Sequence, residues 1–169
     1  SISSYILHSN DYFLLRMIGK LQNSKLISGI PYFSGEKPER KIYNSAVLIG
    51  ADTIQNIYHK LHLVPMAEYI PLSGYFPSLN KLNLGQANFT HGTDYTIMDV
   101  NNVKCAVMIC FESTFPALSR KFVQNGAEVL IYLVNDGWYE KPPEPQQHAK
   151  QAVYRAIETR RPVIRCTNT

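Results

Sequence analysis

Two apolar runs, residues 103–111 (VKCAVMICF) and 129–134 (VLIYLV), constrain this chain most. Both have the length of a β-strand, and neither approaches the roughly 18 apolar residues that a membrane span needs. They read as buried strands of a packed domain. A chain of 169 residues, 45% hydrophobic and 18% charged, holds one such domain with a sizeable core and lies far from disorder. The net charge of +4 comes from scattered Lys and Arg. The densest group, KPERK at 37–41, reads as a solvated loop rather than a nucleic-acid patch, with contact to anionic lipid headgroups as the weaker alternative. Residues 1–4 (SISS) lack the basic start and apolar run of a signal peptide. Residues 1–169 are therefore expected to be one partial domain of a longer protein, so the missing span says nothing about that protein.

Periodicity orders the rest. Residues 11–21 (DYFLLRMIGKL) carry Phe13, Leu14, Met17, Ile18 and Leu21 at helical spacing, with Ser9 or Asp11 as cap. Strands are expected at 25–31, 43–50 and 53–58, the last running into Lys60. Residues 63–89 form a long irregular stretch, punctuated by Pro and Gly but rich in aromatic and aliphatic residues, which suits a functional loop better than disorder. Strands at 96–100 and 103–109 make a hairpin about Asn101-Asn102, followed by a helix over 115–125 and a strand over 128–134. A helix over 146–160 puts Ala149, Ala152, Val153, Ala156 and Ile157 on one apolar face, and a last strand begins at Pro162. This order implies an α/β or layered αββα domain.

Cys110 ends the first apolar run and precedes FESTFP, which turns into a helix. At such a junction, backbone N–H groups and the helix dipole favour a thiolate, and the same N–H groups can receive an oxyanion. A small buried hydrophobe is the alternative on position alone. Cys105, Cys110 and Cys166 are odd in number and form no CxxC pair, against a disulfide framework or a structural zinc. Lys60 closes a strand, and Glu68 sits among apolar residues as a candidate partner for it; a surface lysine and a loop carboxylate are the bland readings. Glu112 is open to either reading. His59 and His62 could form an H-x-x-H metal pair, yet a third ligand at a sensible spacing is lacking, and no cofactor is expected. His148, near a helix start, could instead pair with the thiol as in papain-like enzymes. Asn135-Asp136-Gly137-Trp138 ends a strand, where α/β proteins collect ligand contacts, although a turn with a helix cap uses the same residues.

Together these segments resemble the nitrilase, or carbon–nitrogen hydrolase, superfamily, and within it the apolipoprotein N-acyltransferase family. YHKLHLVPMAEYIPL is similar to the family's K-x-H-L-V-P-F-G-E segment, and ICFESTFP to its I-C-[YF]-E. VNDGWYEKPPEPQQHAKQAVYRAIETRRPVIRCTNT resembles its N-D-[AG]-W, Q-H, R-A-x-E and R-P-x-x-R-x-T-N blocks. Four blocks in register form a specific signal.

The resemblance implies a nitrilase-like αββα sandwich, incomplete at both ends, with a Glu–Lys–Cys site. Cys110 would take an acyl group from a phospholipid as a thioester and pass it to the amine of a diacylglyceryl-apolipoprotein, at the periplasmic face of a bacterial inner membrane. Lys60 and the Phe111 N–H would hold the oxyanion, Glu68 would hold Lys60, and Phe111, Glu112, Asn135 and Trp138 would bind substrate or support the site. The stretch 63–89 would meet lipid tails. Two departures stand out: Met66-Ala67 replaces the family's Phe-Gly, and residues 1–10 contain no match to its general-base Glu. Glu36 and Glu39 lie on the wrong side of the first helix to replace it. The chain alone is therefore expected to be catalytically silent. A soluble amidase using the same Lys60 and Cys110, and a non-catalytic binding domain, are the alternatives.

Overall fold

The computed structural model describes residues 24–36, 39–50, 54–73, 75, 88–137 and 143–168. The helix expected over 11–21 lies outside them, as do residues 76–87 of the irregular stretch and Trp138.

Strands β1 (Leu26–Ser34), β2 (Lys41–Ile49) and β3 (Ile54–His59) form an antiparallel sheet in chain order. Strands β4 (Ile97–Val100), β5 (Val103–Ile109), β6 (Val129–Val134) and β7 (Val163–Thr167) form a second, mixed sheet. The β4–β5 hairpin turns on Asn101 and Asn102, at φ 53° and 67°. Asparagine tolerates this left-handed pair, which a tight turn between twisted strands demands. The Asp99 carboxylate accepts the Asn102 N–H across it at 2.9 Å.

β5, β6 and β7 are parallel. Parallel neighbours need crossovers, and the two here are helical: α1 (Pro116–Gln124) joins β5 to β6, and α2 (Glu144–Thr159) joins β6 to β7. Right-handed crossovers advancing in one direction put both helices on one face of the sheet. α1 stops in a Schellman cap, with the Gly126 N–H on Val123 O at 2.9 Å and the Ala127 N–H on Phe122 O at 3.0 Å. Gly126 holds φ 99°, which a side chain would resist.

The main core lies between the sheets and under the helices, from Ala46, Leu48 and Tyr58 through Met98, Val107 and Met108 to Leu118, Phe122, Leu130 and Ala152. β5 is buried on both faces from Cys105 to Ile109, which explains its unbroken apolar run. The opposite face of the first sheet gathers Ile30, Val47 and Ile49 into a smaller cluster. Two sheets with crossover helices match the expected layered α/β class.

One expectation fails on α2. Val153 and Ile157 are 56% and 70% exposed, while the inward residues are Ala152 and Arg155, with His148 half-buried. The helix turns a polar edge inward because Arg155 donates to Ser113 O at 3.1 Å and His148 reaches Asp136 and Cys110. Buried backbone carbonyls and a buried carboxylate outweigh the apolar stripe there, since each needs a donor.

Candidate active site

Three strand ends converge on the site. β5 runs out at Ile109 beside Leu133 of β6, so Cys110 and Asn135 emerge as neighbours at the carboxyl edge of the sheet. β3 ends on the facing sheet and delivers Lys60. Cys110 begins a short 3₁₀ turn, Cys110–Thr114, and stands at φ 50°. A non-glycine residue in that region stores strain, so the surroundings must hold it there. Its thiol donates weakly to Asn135 O at 3.9 Å.

Lys60 is 1% exposed. Its Nζ donates to both oxygens of Glu68, at 2.9 and 2.8 Å. The same carboxylate accepts from Asn44 Nδ2 and from the Val64 N–H, each at 2.8 Å. Four hydrogen bonds to one carboxylate fix the ammonium in place and offset the desolvation of the pair. A strap through residues 88–92 pins the backbone of both partners: Phe89 N–H donates to Glu68 O, and Gly92 N–H to Lys60 O, each at 2.8 Å. Gly92 passes so close to β3 that a Cβ there would meet His59 O at 2.1 Å.

Glu112 is fully buried. Its Oε1 accepts from Tyr58 Oη at 2.7 Å, the Leu61 N–H at 2.8 Å and the His62 N–H at 3.1 Å. Its Oε2 reaches back to the Ile109 N–H at 2.7 Å. One carboxylate thus ties the residues flanking Lys60 to the residue before Cys110. Burial pushes the Glu112 carboxyl above its ordinary range, opposed by hydrogen bonds from Ile109, Tyr58 and His62 and by the Lys60 charge. The Tyr58 phenol is pushed up as well, by burial first and then by the adjacent carboxylate.

The thiol itself corrects an expectation. Burial pushes the Cys110 pKa up; the Lys60 ammonium and a hydrogen bond with the Asn135 backbone pull it down, and Glu68 and Asp136 push it up again. The 3₁₀ turn is short, so it offers only a weak dipole against that burial. His148 also departs from the dyad reading: its Nε2 faces the carbonyl oxygen of Cys110 at 3.1 Å, not the sulfur.

The remaining residues separate. Phe111 packs edge-on against Phe115, centroids 5.1 Å apart, and Phe115 stacks on His62 at 4.3 Å, an aromatic wall beside the thiol. Asn135 Oδ1 accepts from the Gly137 N–H at 3.1 Å and from Asn168 Nδ2 at 2.8 Å, which shapes the turn after β6. His59 and His62 diverge: His59 stacks on Tyr43 and meets Ser45 Oγ at 2.7 Å, whereas His62 lies on Phe115. All three cysteines are free. Asn44, Tyr58 and Arg165 were given no role from sequence, and Asp136 was placed only within its strand-end block; the polar Asn44 inside an apolar strand was a visible signal.

Two facing sheets, parallel strands with helical crossovers, and a Cys and a Lys–Glu pair at their carboxyl ends define a class, and sequence comparison names it. The profile of the carbon–nitrogen hydrolase family matches residues 13–169, and the chain belongs to that family. Among curated relatives, the apolipoprotein N-acyltransferase of Geobacter metallireducens is 36% identical over 145 residues, 85% of this chain and 28% of that protein. Those of Bdellovibrio bacteriovorus and Chlorobaculum tepidum are 33% and 39% identical, over 94% and 78% of this chain and 33% and 26% of theirs. The chain thus spans between a quarter and a third of their length. A carbon–nitrogen hydrolase from Helicobacter pylori shares the fold, with TM-score 0.65 and 20% identity over 97% of this chain and 52% of that one. Among the described residues no helix is long and apolar enough to cross a membrane.

Proposed function

We propose that this chain is the acyl-transfer portion of an apolipoprotein N-acyltransferase, with Cys110 as nucleophile. The observation that carries the reading is the buried Lys60–Glu68 pair set beside a strained cysteine at the strand ends, joined to the apolipoprotein N-acyltransferase relatives. The Cys110 thiol gives its proton to a base and attacks the ester carbonyl of a phospholipid. An S–C bond forms, and the oxyanion rests against Lys60 and the Phe111 N–H. Collapse breaks the ester C–O bond; the departing alkoxide takes a proton and leaves as lysophospholipid. The α-amine of a diacylglyceryl-apolipoprotein then attacks the thioester, the thiolate departs and recovers a proton, and an amide is left.

Burial of the thiol makes the base indispensable. Among the described residues no carboxylate hydrogen-bonds to Cys110, whose own hydrogen bond goes to Asn135 O. Phe111, Phe115 and His62 offer an apolar wall suited to an acyl chain. Exposed Met66, Leu72 and Tyr75 on the neighbouring loop suit lipid. The setting is the periplasmic face of a bacterial inner membrane, and no cofactor is needed.

The test is mass spectrometry of the full-length protein incubated with phospholipid vesicles. An acyl mass on Cys110 that is discharged by a diacylglyceryl peptide supports the reading, as does its loss in Cys110→Ala. Hydrolysis of small amides without lipid turnover would assign the site to an amidase instead.

A further inference from the structure

The carbonyl oxygen of Cys110 belongs to a residue held in left-handed backbone, and something must hold it there. The His148 ring spans the gap between that oxygen and Asp136: Nε2 lies 3.1 Å from Cys110 O, and Nδ1 lies 2.8 Å from Asp136 Oδ1. Cys110 O is an acceptor, so that contact calls for a hydrogen on Nε2. Asp136 is almost wholly buried, its other oxygen accepts from Arg165 Nη2, and its N–H donates to Asn168 Oδ1 at 3.2 Å. The chain of contacts thus runs from β7 through the end of β6 to α2 and ends on the nucleophile's backbone.

We infer that His148 is a positioning residue for Cys110, anchored by Asp136 and Arg165, which holds the nucleophile's carbonyl and with it the left-handed backbone that aims the thiol. The inference rests on the reading of Cys110 as nucleophile. The peptide unit that carries this oxygen also carries the Phe111 N–H, so gripping one end of the amide orients the other. Because the carbonyl points to His148, the N–H points away from it, toward the side of the amide where an oxyanion would form. His148 therefore acts through the backbone and takes no proton from sulfur.

The experiment has two arms, so that failure of the proposal and failure of the acyl-transfer reading are distinguishable. In the full-length protein, His148→Ala is expected to lower kcat for acylation of Cys110 by at least tenfold with KM within twofold, and added imidazole to restore part of the loss. In the 169-residue chain carrying Cys166→Ser, which leaves Cys110 as the more accessible thiol, iodoacetamide is expected to alkylate Cys110 at least threefold more slowly in His148→Ala. His148→Gln keeps an amide donor for the carbonyl and is expected to fall between the two. If the full-length wild type transfers no acyl group, the alkylation arm still decides. A folded His148→Ala that reacts at the wild-type rate overturns the proposal. Should the Ala variant not fold, the nitrogen NMR signal of His148 in the wild type decides, a bare Nε2 overturning it and a protonated, slowly exchanging Nε2–H supporting it.

Discussion

Replacing Glu112 by Gln isolates one hydrogen bond of the four that this buried carboxylate accepts. Three donors, Tyr58 Oη and the N–H groups of Leu61 and His62, converge on Oε1, whereas Oε2 serves the Ile109 N–H alone. A glutamine can keep its carbonyl at the first position, which leaves its NH₂ opposed to the Ile109 N–H. The cost is one charge-assisted bond exchanged for two facing donors, about 1.5–3 kcal/mol. For a domain of this size roughly 2–4 °C of melting temperature follows each kcal/mol, so the fall is about 3–12 °C. The lost bond is the one on the residue before Cys110, so the surroundings of Cys110 should suffer more than the fold: Cys110 alkylation by iodoacetamide should change while Cys166 in the same sample stays constant. Differential scanning calorimetry and peptide mapping of the alkylated chain read both effects. A melting temperature within 1 °C of wild type, with unchanged Cys110 reactivity, would refute the claim that Glu112 couples the two strand ends.

Glu68→Gln should leave Lys60 with a neutral partner in a buried position, costing about 3–5 kcal/mol by chemical denaturation, as when one member of a buried pair is removed; a loss below 1 kcal/mol would show the pair to be well solvated. Gly92→Ala should destabilise by roughly 1–3 kcal/mol, because its Cβ would have to displace the His59 carbonyl; an unchanged unfolding midpoint contradicts that. The Cys110 thiol is raised by burial, so its alkylation should climb with a midpoint above that of a free cysteine. By linkage, a raised folded value means that this group stabilises the native state below the ordinary thiol range and loses that contribution as pH rises through its folded value. Relative to Cys110→Ser, the wild type should therefore weaken at alkaline pH, and urea titrations across that range check the sign.

The strands were legible because their signals are local. The apolar run at 103–109 and the Asn101-Asn102 turn each mark one element, and both stand where periodicity places them. Lys60, Glu68 and Cys110 were visible through their segments. What the Glu68 carboxylate also grips, Asn44 and the Val64 N–H, was not, because hydrogen bonding between residues far apart in sequence leaves no period to read. The inward face of α2 was misread for a related reason: an amphipathic pattern weighs apolar residues, whereas His148 and Arg155 turn inward to satisfy buried oxygens of other elements. The thiol's acidity was misjudged because a strand-to-helix junction reveals a dipole but not how deeply the sulfur sits.

The bond from Tyr58 to Glu112 spans 54 residues, and it joins two sheets whose strands otherwise pair with near neighbours. Each sheet can assemble from its own hairpins and crossovers, but Lys60 and Cys110 meet only when the sheets dock and this long loop closes. The site is in that sense a late product of folding: a half-folded chain has a cysteine and a lysine but not a reactive pair. The pairing of Lys60 with Cys110 is thereby left to the docking of the sheets, and the Tyr58–Glu112 bond marks that this step has been taken.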